Sequence, residues 1–187
     1  MRNRSWLIVV ALVCGSVWAS GAFGAGSAEN ESPYGLGRSA TEKEIQHWNI
    51  DVAPSGEGLP TGRGTVKQGA QIYARSCAHC HGASGVEGPS PPLVGGHNTL
   101  RTANPMKTIG SYWPYATTLY DYVYRAMPFS APQSLTPDEV YSLVAWLLYR
   151  NGIVDESTVM DAHSLPAVRM PNRAGFISDP RPDVPTK

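Results

Sequence analysis

The sequence predicts an all-α fold, a small helical domain with an irregular N-terminal arm and an extended C-terminal tail. Three observations carry that prediction. Val140, Leu143, Val144 and Leu147 recur at i, i+3, i+4 and i+7, the buried stripe of an amphipathic helix. Thr136-Pro137-Asp138-Glu139 just before it combines a capping box with a proline at the first helical position. A second helical stretch, from near Val66 to Cys77, leads into Cys77-Ala78-His79-Cys80-His81. The expected divisions are 1–25 as an export signal, 26–64 as the arm, 65–152 as the helical domain and 153–187 as the tail.

At the N-terminus, Arg2 and Arg4 precede an apolar run from Trp6 to Trp18, followed by small residues from Ala19 to Ala28. That is the pattern of a cleaved secretory signal, and the run is short for a bilayer span. Cys14 falls inside it and is expected to be discarded with it. In the arm, Thr41-Glu42-Lys43-Glu44 is a capping-box pattern that opens a short helix through Trp48. The turn-rich Pro54–Gly62 stretch follows, with Val52 and Leu59 giving apolar purchase. The arm is expected to cover the helical domain and to dock on another protein. Within the domain, Leu119, Tyr122, Val123 and Ala126 share one side of a helix that Pro128 ends. Asn151-Gly152 stops the last helix. The tail carries Pro166, Pro171, Pro180, Pro182 and Pro185, which disfavour regular structure, while Leu165, Val168, Met170, Phe176 and Ile177 favour partial docking.

Composition is ordinary for a soluble protein, with 42% hydrophobic residues. Formal charge is zero, and falls to about −2 without Arg2 and Arg4. That balance argues against a nucleic-acid ligand or a membrane surface, and the short apolar run at the N-terminus argues against stable membrane insertion.

The chemistry concentrates at Cys77-x-x-Cys80-His81. Two thiols one helical turn apart can each add to a porphyrin vinyl group, and the next residue then presents an imidazole to the iron. One such motif implies one covalent haem c, with His81 as the proximal ligand. A redox dithiol, half of a zinc site and a structural disulfide are the alternatives. The first wants a β-α-β setting; the second lacks a completing cluster, since His47, His97 and His163 are scattered.

Gly69 and Tyr73 on the first helix, with Leu143 and Trp146 on the last, resemble the crossed terminal helices of class I cytochromes c. The resemblance implies further site residues. Gly88-Pro89-Ser90-Pro91-Pro92-Leu93 matches the family's proline-leucine loop, in which the Pro91 carbonyl accepts from His81 and Leu93 packs on the ring. Met127, just before the loop into the last helix, stands where the distal thioether ligand is expected. Met170, Met106 and Met160 are its rivals, and His97 is a weaker one. Trp113 and Tyr115 are candidates to line the haem edge, and Arg125 to neutralise a propionate, with ordinary packing or surface roles as the alternative.

The chain also resembles, from Tyr34 to Asp183, the cytochrome c subunits of sulfite and sulfane dehydrogenases of the Sox and Sor type. The likeness rests on Gly37-Arg38-Ser39-Ala40-Thr41, Trp48-Asn49-Ile50-Asp51-Val52, Trp113-Pro114-Tyr115-Ala116-Thr117, Arg125-Ala126-Met127-Pro128-Phe129 and Met170-Pro171-Asn172-Arg173. Longer relatives carry two haems, and this chain has one motif. The resemblance implies a periplasmic electron-transfer subunit. It would take electrons from a molybdenum-cofactor dehydrogenase and pass them to a soluble cytochrome c or an oxidase. No nucleophile-base pair of its own is visible. Two other readings fit the same motifs: a stand-alone carrier for another periplasmic dehydrogenase, and a haem enzyme or sensor with a displaceable sixth ligand.

Overall fold

The computed structural model describes residues 34–179 and Arg181. The export segment expected at 1–25 lies outside them. The chain divides after Thr41 into two units. Residues 34–41 are exposed turn and irregular chain. The second unit runs in the order α1 Glu42–Trp48, β1 Arg63–Thr65, α2 Val66–Ser76, α3 Ala78–His81, α4 Ala116–Ala126, α5 Pro137–Arg150, β2 Val159–Asp161 and α6 Ser164–Ala167.

The centre is the crossing of α2 and α5. Thr65 caps α2: its hydroxyl accepts from the Gln68 N–H while the Gln68 side chain accepts from the Thr65 N–H. Thr136 and Glu139 cap α5 in the same reciprocal way. Where the helices meet, a Cβ on Gly69 would overlap the Ser142 carbonyl oxygen and stand 2.7 Å from Trp146 Cβ. Glycine is therefore required by contact rather than by backbone angle. The close approach lets Tyr73 stack on Trp146, with ring centroids 4.0 Å apart. Arg75 and Glu139 form an ion pair between the same helices. Val140, Leu143, Val144 and Leu147 are all buried, as their spacing predicts.

Helix α4 adds the third side of the core. Leu119, Tyr120 and Val123 are buried, but Tyr122 is 46% exposed. The buried face is thus rotated from the expected one. The ring of Tyr120 takes the inner position, packing on Tyr141 at 4.6 Å.

The arm and tail dock on the domain as expected, but they also form regular structure that the sequence did not announce. Strands β1 and β2 pair antiparallel, with Gly64 opposite Met160. Gly64 also has no room for a side chain, because a Cβ would overlap the Ser142 backbone nitrogen on α5. Met160 of the ribbon, and Leu165 and Met170 beyond it, are buried in the same core as α5. Of the tail's prolines, Pro166 lies inside the short helix α6 and Pro171 opens a turn, while Pro180, Pro182 and Pro185 lie outside the described residues. Phe176 and Ile177 stay exposed. The arm is fastened by polar bonds: the Val52 N–H donates to Asp121 Oδ1 at 3.0 Å, and Tyr141 Oη donates to the Pro60 carbonyl at 2.8 Å. Helix α1 buries none of its residues, and Trp48 is 79% exposed. Among the described residues no helix is long and apolar enough to cross a membrane.

Replacing Gly69 with Ala forces a Cβ into backbone that cannot yield. We expect a loss of about 3 kcal/mol, within the range for overpacking a core. Urea denaturation would register it as a lower midpoint with unchanged slope.

Candidate haem site

The site grows from the end of α2. Cys77 closes that helix and, with a non-helical φ of −125°, turns the chain into α3. Gly82 stops α3 at φ +79°, a region a side chain would resist. Neither Cys77 nor Cys80 is in a disulfide. Cys77 is half-buried and Cys80 exposed. Burial, with Cys80 beside it, pushes the Cys77 thiol up to about 11.

His81 Nδ1 lies 3.0 Å from the Pro91 carbonyl oxygen. A carbonyl only accepts, so Nδ1 carries the hydrogen and Nε2 is left with its lone pair free to ligate. The loop between them folds back on α3. The Ser90 N–H donates to the Cys80 carbonyl at 2.9 Å, and the Leu93 N–H donates to the Gly85 carbonyl at 2.8 Å. Tyr73 Oη donates to the Gly82 carbonyl at 2.8 Å, tying α2 to the end of α3. Burial is the main cause that raises this phenol to about 12, so it remains a donor at every physiological pH.

Glu87 organises the turn. Its carboxylate accepts from the Ser84 N–H and the Val86 N–H, each at 3.1 Å, and from the Ser84 hydroxyl. Those bonds hold the acid down to about 2 although it lies at the surface. No motif announces this role; a glutamate between Gly85 and Gly88 is the available signal.

The remaining predicted residues are placed as follows. Leu93, Trp113 and Met127 are half-buried and pack on the core, as does Cys77. Trp113 meets Tyr122 edge-on at 5.7 Å. Tyr115 lies under the Arg173 guanidinium, 4.5 Å from its ring centre. Arg125 is bound at the surface to Asp51, at 2.6 Å, and to Asp121. That ion-pair triad fastens the arm to α4 and accounts for the charge without a propionate. Of the rival methionines, Met160 and Met170 are sealed in the core, and Met106 is 41% exposed. His97 is exposed.

These residues fit a haem c. Two unpaired thiols stand one turn apart beside an imidazole whose Nδ1 is already committed. Apolar side chains packed on the core leave part of their surface uncovered. By contrast, no three His, Cys, Asp or Glu side chains gather into a metal cage among the described residues. A chain of the crystal structure titled Sulfane Dehydrogenase SoxCD from Paracoccus pantotrophus is 45% identical to this one. The likeness covers 80% of this chain and 74% of that one, with a TM-score of 0.73. The chain belongs to the class I c-type cytochromes. Residues 64–147 of the cytochrome also match the family described as cytochrome C oxidase, cbb3-type, subunit III. No curated protein matches the cytochrome. Haem c is the cofactor of its family, and electron transfer its role.

Asn151 is the residue that sequence reading missed. It reads as a helix stop, but it is 4% exposed and its amide is fully engaged. Oδ1 accepts from the Gly95 N–H at 3.1 Å, and Nδ2 donates to the carbonyls of Leu93 at 3.2 Å and Leu147 at 2.9 Å.

Two outcomes are expected. In the haem-free protein at pH 8, iodoacetamide modifies Cys80 well before Cys77, since the thiolate is the reactive form and Cys77 holds its proton; peptide mapping reads the order. The folded Glu87 acid titrates below its unfolded value, so its support is complete above the ordinary carboxylate range and is lost as pH falls through about 2. Protection of the Ser84 and Val86 amides, taken against their intrinsic exchange rates, should therefore persist at pH 4 and be lost at the same pH in Glu87→Ala.

Proposed function

We propose that this cytochrome is the exported haem subunit of a sulfur-oxidising dehydrogenase of the sulfite or sulfane type. The observation that carries the reading is the reach of the SoxCD likeness. It covers 80% of the chain, whereas the cytochrome family match ends at residue 147. A haem pocket alone does not require a particular arm and tail. Similarity extending into them is what a shared docking partner would maintain, here a molybdenum-cofactor subunit.

Cys77 and Cys80 would hold one haem covalently, with His81 and Met127 as the residues that would ligate its iron. Bound there, it supplies a one-electron iron couple. The chain's own part is to hold that group. Pro91 fixes the ring plane of His81 and raises its basicity through Nδ1. Leu93 and Trp113 would exclude water from the ring, and Tyr115 would border its edge. Met127 suits the distal role by its half-buried place on the rim of the core, directly after α4. A thioether ligand would favour the ferrous state, which suits a group that accepts the dehydrogenase's electrons. A soluble cytochrome c or an oxidase takes them next. Export follows from the N-terminal pattern at residues 1–25 and from the oxidising compartment in which thioether attachment occurs.

Co-expression with a molybdenum-cofactor dehydrogenase subunit of the sulfite or sulfane type tests the assignment. The two should purify together, and sulfite or a sulfane substrate should reduce the haem. A haem reduced only by unrelated dehydrogenases would sink the sulfur reading while leaving the cytochrome. Met127→Ala should abolish the sulfur-to-iron charge-transfer band and lower the midpoint potential; an unchanged spectrum would assign the ligand elsewhere.

A further inference from the structure

We propose that Asn151 is a positioning residue for the proximal imidazole, acting from the end of α5 through the 91–95 segment on the Pro91–His81 hydrogen bond. The inference rests on the reading of His81 as an iron ligand.

The segment that carries the Pro91 carbonyl has no helix or strand of its own. Its backbone groups are instead satisfied one at a time. Leu93 accepts from Asn151 Nδ2 at 3.2 Å and from the Ile109 N–H at 3.3 Å. The Gly95 N–H donates to Asn151 Oδ1 at 3.1 Å, and the Gly95 carbonyl accepts from Thr108 Oγ1 at 2.5 Å. One amide thus grips the segment at two points, two and four residues beyond Pro91. The amide is itself fixed by its third bond, to the Leu147 carbonyl of α5. From the other side Gly110 presses on it, where a Cβ would overlap Asn151 Oδ1.

The length of the His81–Pro91 bond therefore depends on how firmly residues 91–95 are held. A shorter bond makes the imidazole a stronger donor to iron and stabilises the ferric state. Loosening the amide's grip lengthens that bond, frees the Nδ1 hydrogen to solvent and raises the potential. No other side chain among the described residues spans Leu93 and Gly95 together.

Asn151→Asp is the sharpest probe. It keeps the shape and the acceptor for Gly95, but sets a carboxylate oxygen against the carbonyls of Leu93 and Leu147. Gly110→Ala reaches the same amide from outside and decides the matter alone if Asn151→Asp does not fold. Thr65→Ala is the control, because it removes a helix cap far from the segment. The measurements are solvent exchange of the His81 Nδ1 hydrogen by NMR in the reduced holoprotein, and the midpoint potential. Both variants should exchange about tenfold faster, the effect of one lost hydrogen bond. Both should show a raised potential, and Thr65→Ala should show neither change. Parental exchange and potential in both variants, or equal shifts in Thr65→Ala, would overturn the proposal. A parent protein lacking covalent haem is a separate result, which strikes the proposed function first.

Discussion

Everything in the unit depends on how closely α2 approaches α5. With glycine at position 69 the Ser142 carbonyl lies where a side chain would otherwise stand. That contact sets the height at which α2 ends, and so where Cys77 turns the chain. It also brings Tyr73 against Trp146, and the phenol is then in reach of the Gly82 carbonyl. A helix crossing thereby fixes both ends of α3, the single turn that carries Cys80 and His81.

Between α3 and α4 the chain runs through residues 82–115 with no helix or strand. So long an irregular stretch is uncommon in a small domain unless it surrounds a ligand. Here the peptide groups cannot rely on a ladder, so side chains satisfy them: Glu87 for the first turn, Asn151 for the middle, Thr108 and Ser111 for the last. Such bonds fix direction as well as position, which is what a ligand-bearing imidazole needs. They also concentrate the stability of the loop in a few residues, so single substitutions there have large local effects.

Much of this architecture could be read from the sequence. The Thr136 capping box, the stripe on α5 and the cysteine motif each carry a local signal, and each lies where the pattern places it. What escaped notice had none. The β1–β2 ribbon joins three-residue strands almost a hundred positions apart, too short for alternation to show. Met160 and Leu165 look like tail residues until that pairing carries them into the core. Tyr122 and Tyr120 are two steps apart on one helix, and only tertiary packing decides which ring turns inward. Arg125 was legible as a charge, but its acids lie 4 and 74 residues away. Asn151 was legible as a terminator, and nothing in its neighbours announces that its amide reaches across to another loop.

The ribbon has one more consequence, for the order of assembly. A chain delivered from its N-terminus presents β1 long before β2, so the ribbon closes only when residues up to Asp161 have arrived. Until then α5 lacks one of its covers, and the last strand to arrive is the one that completes the core around it.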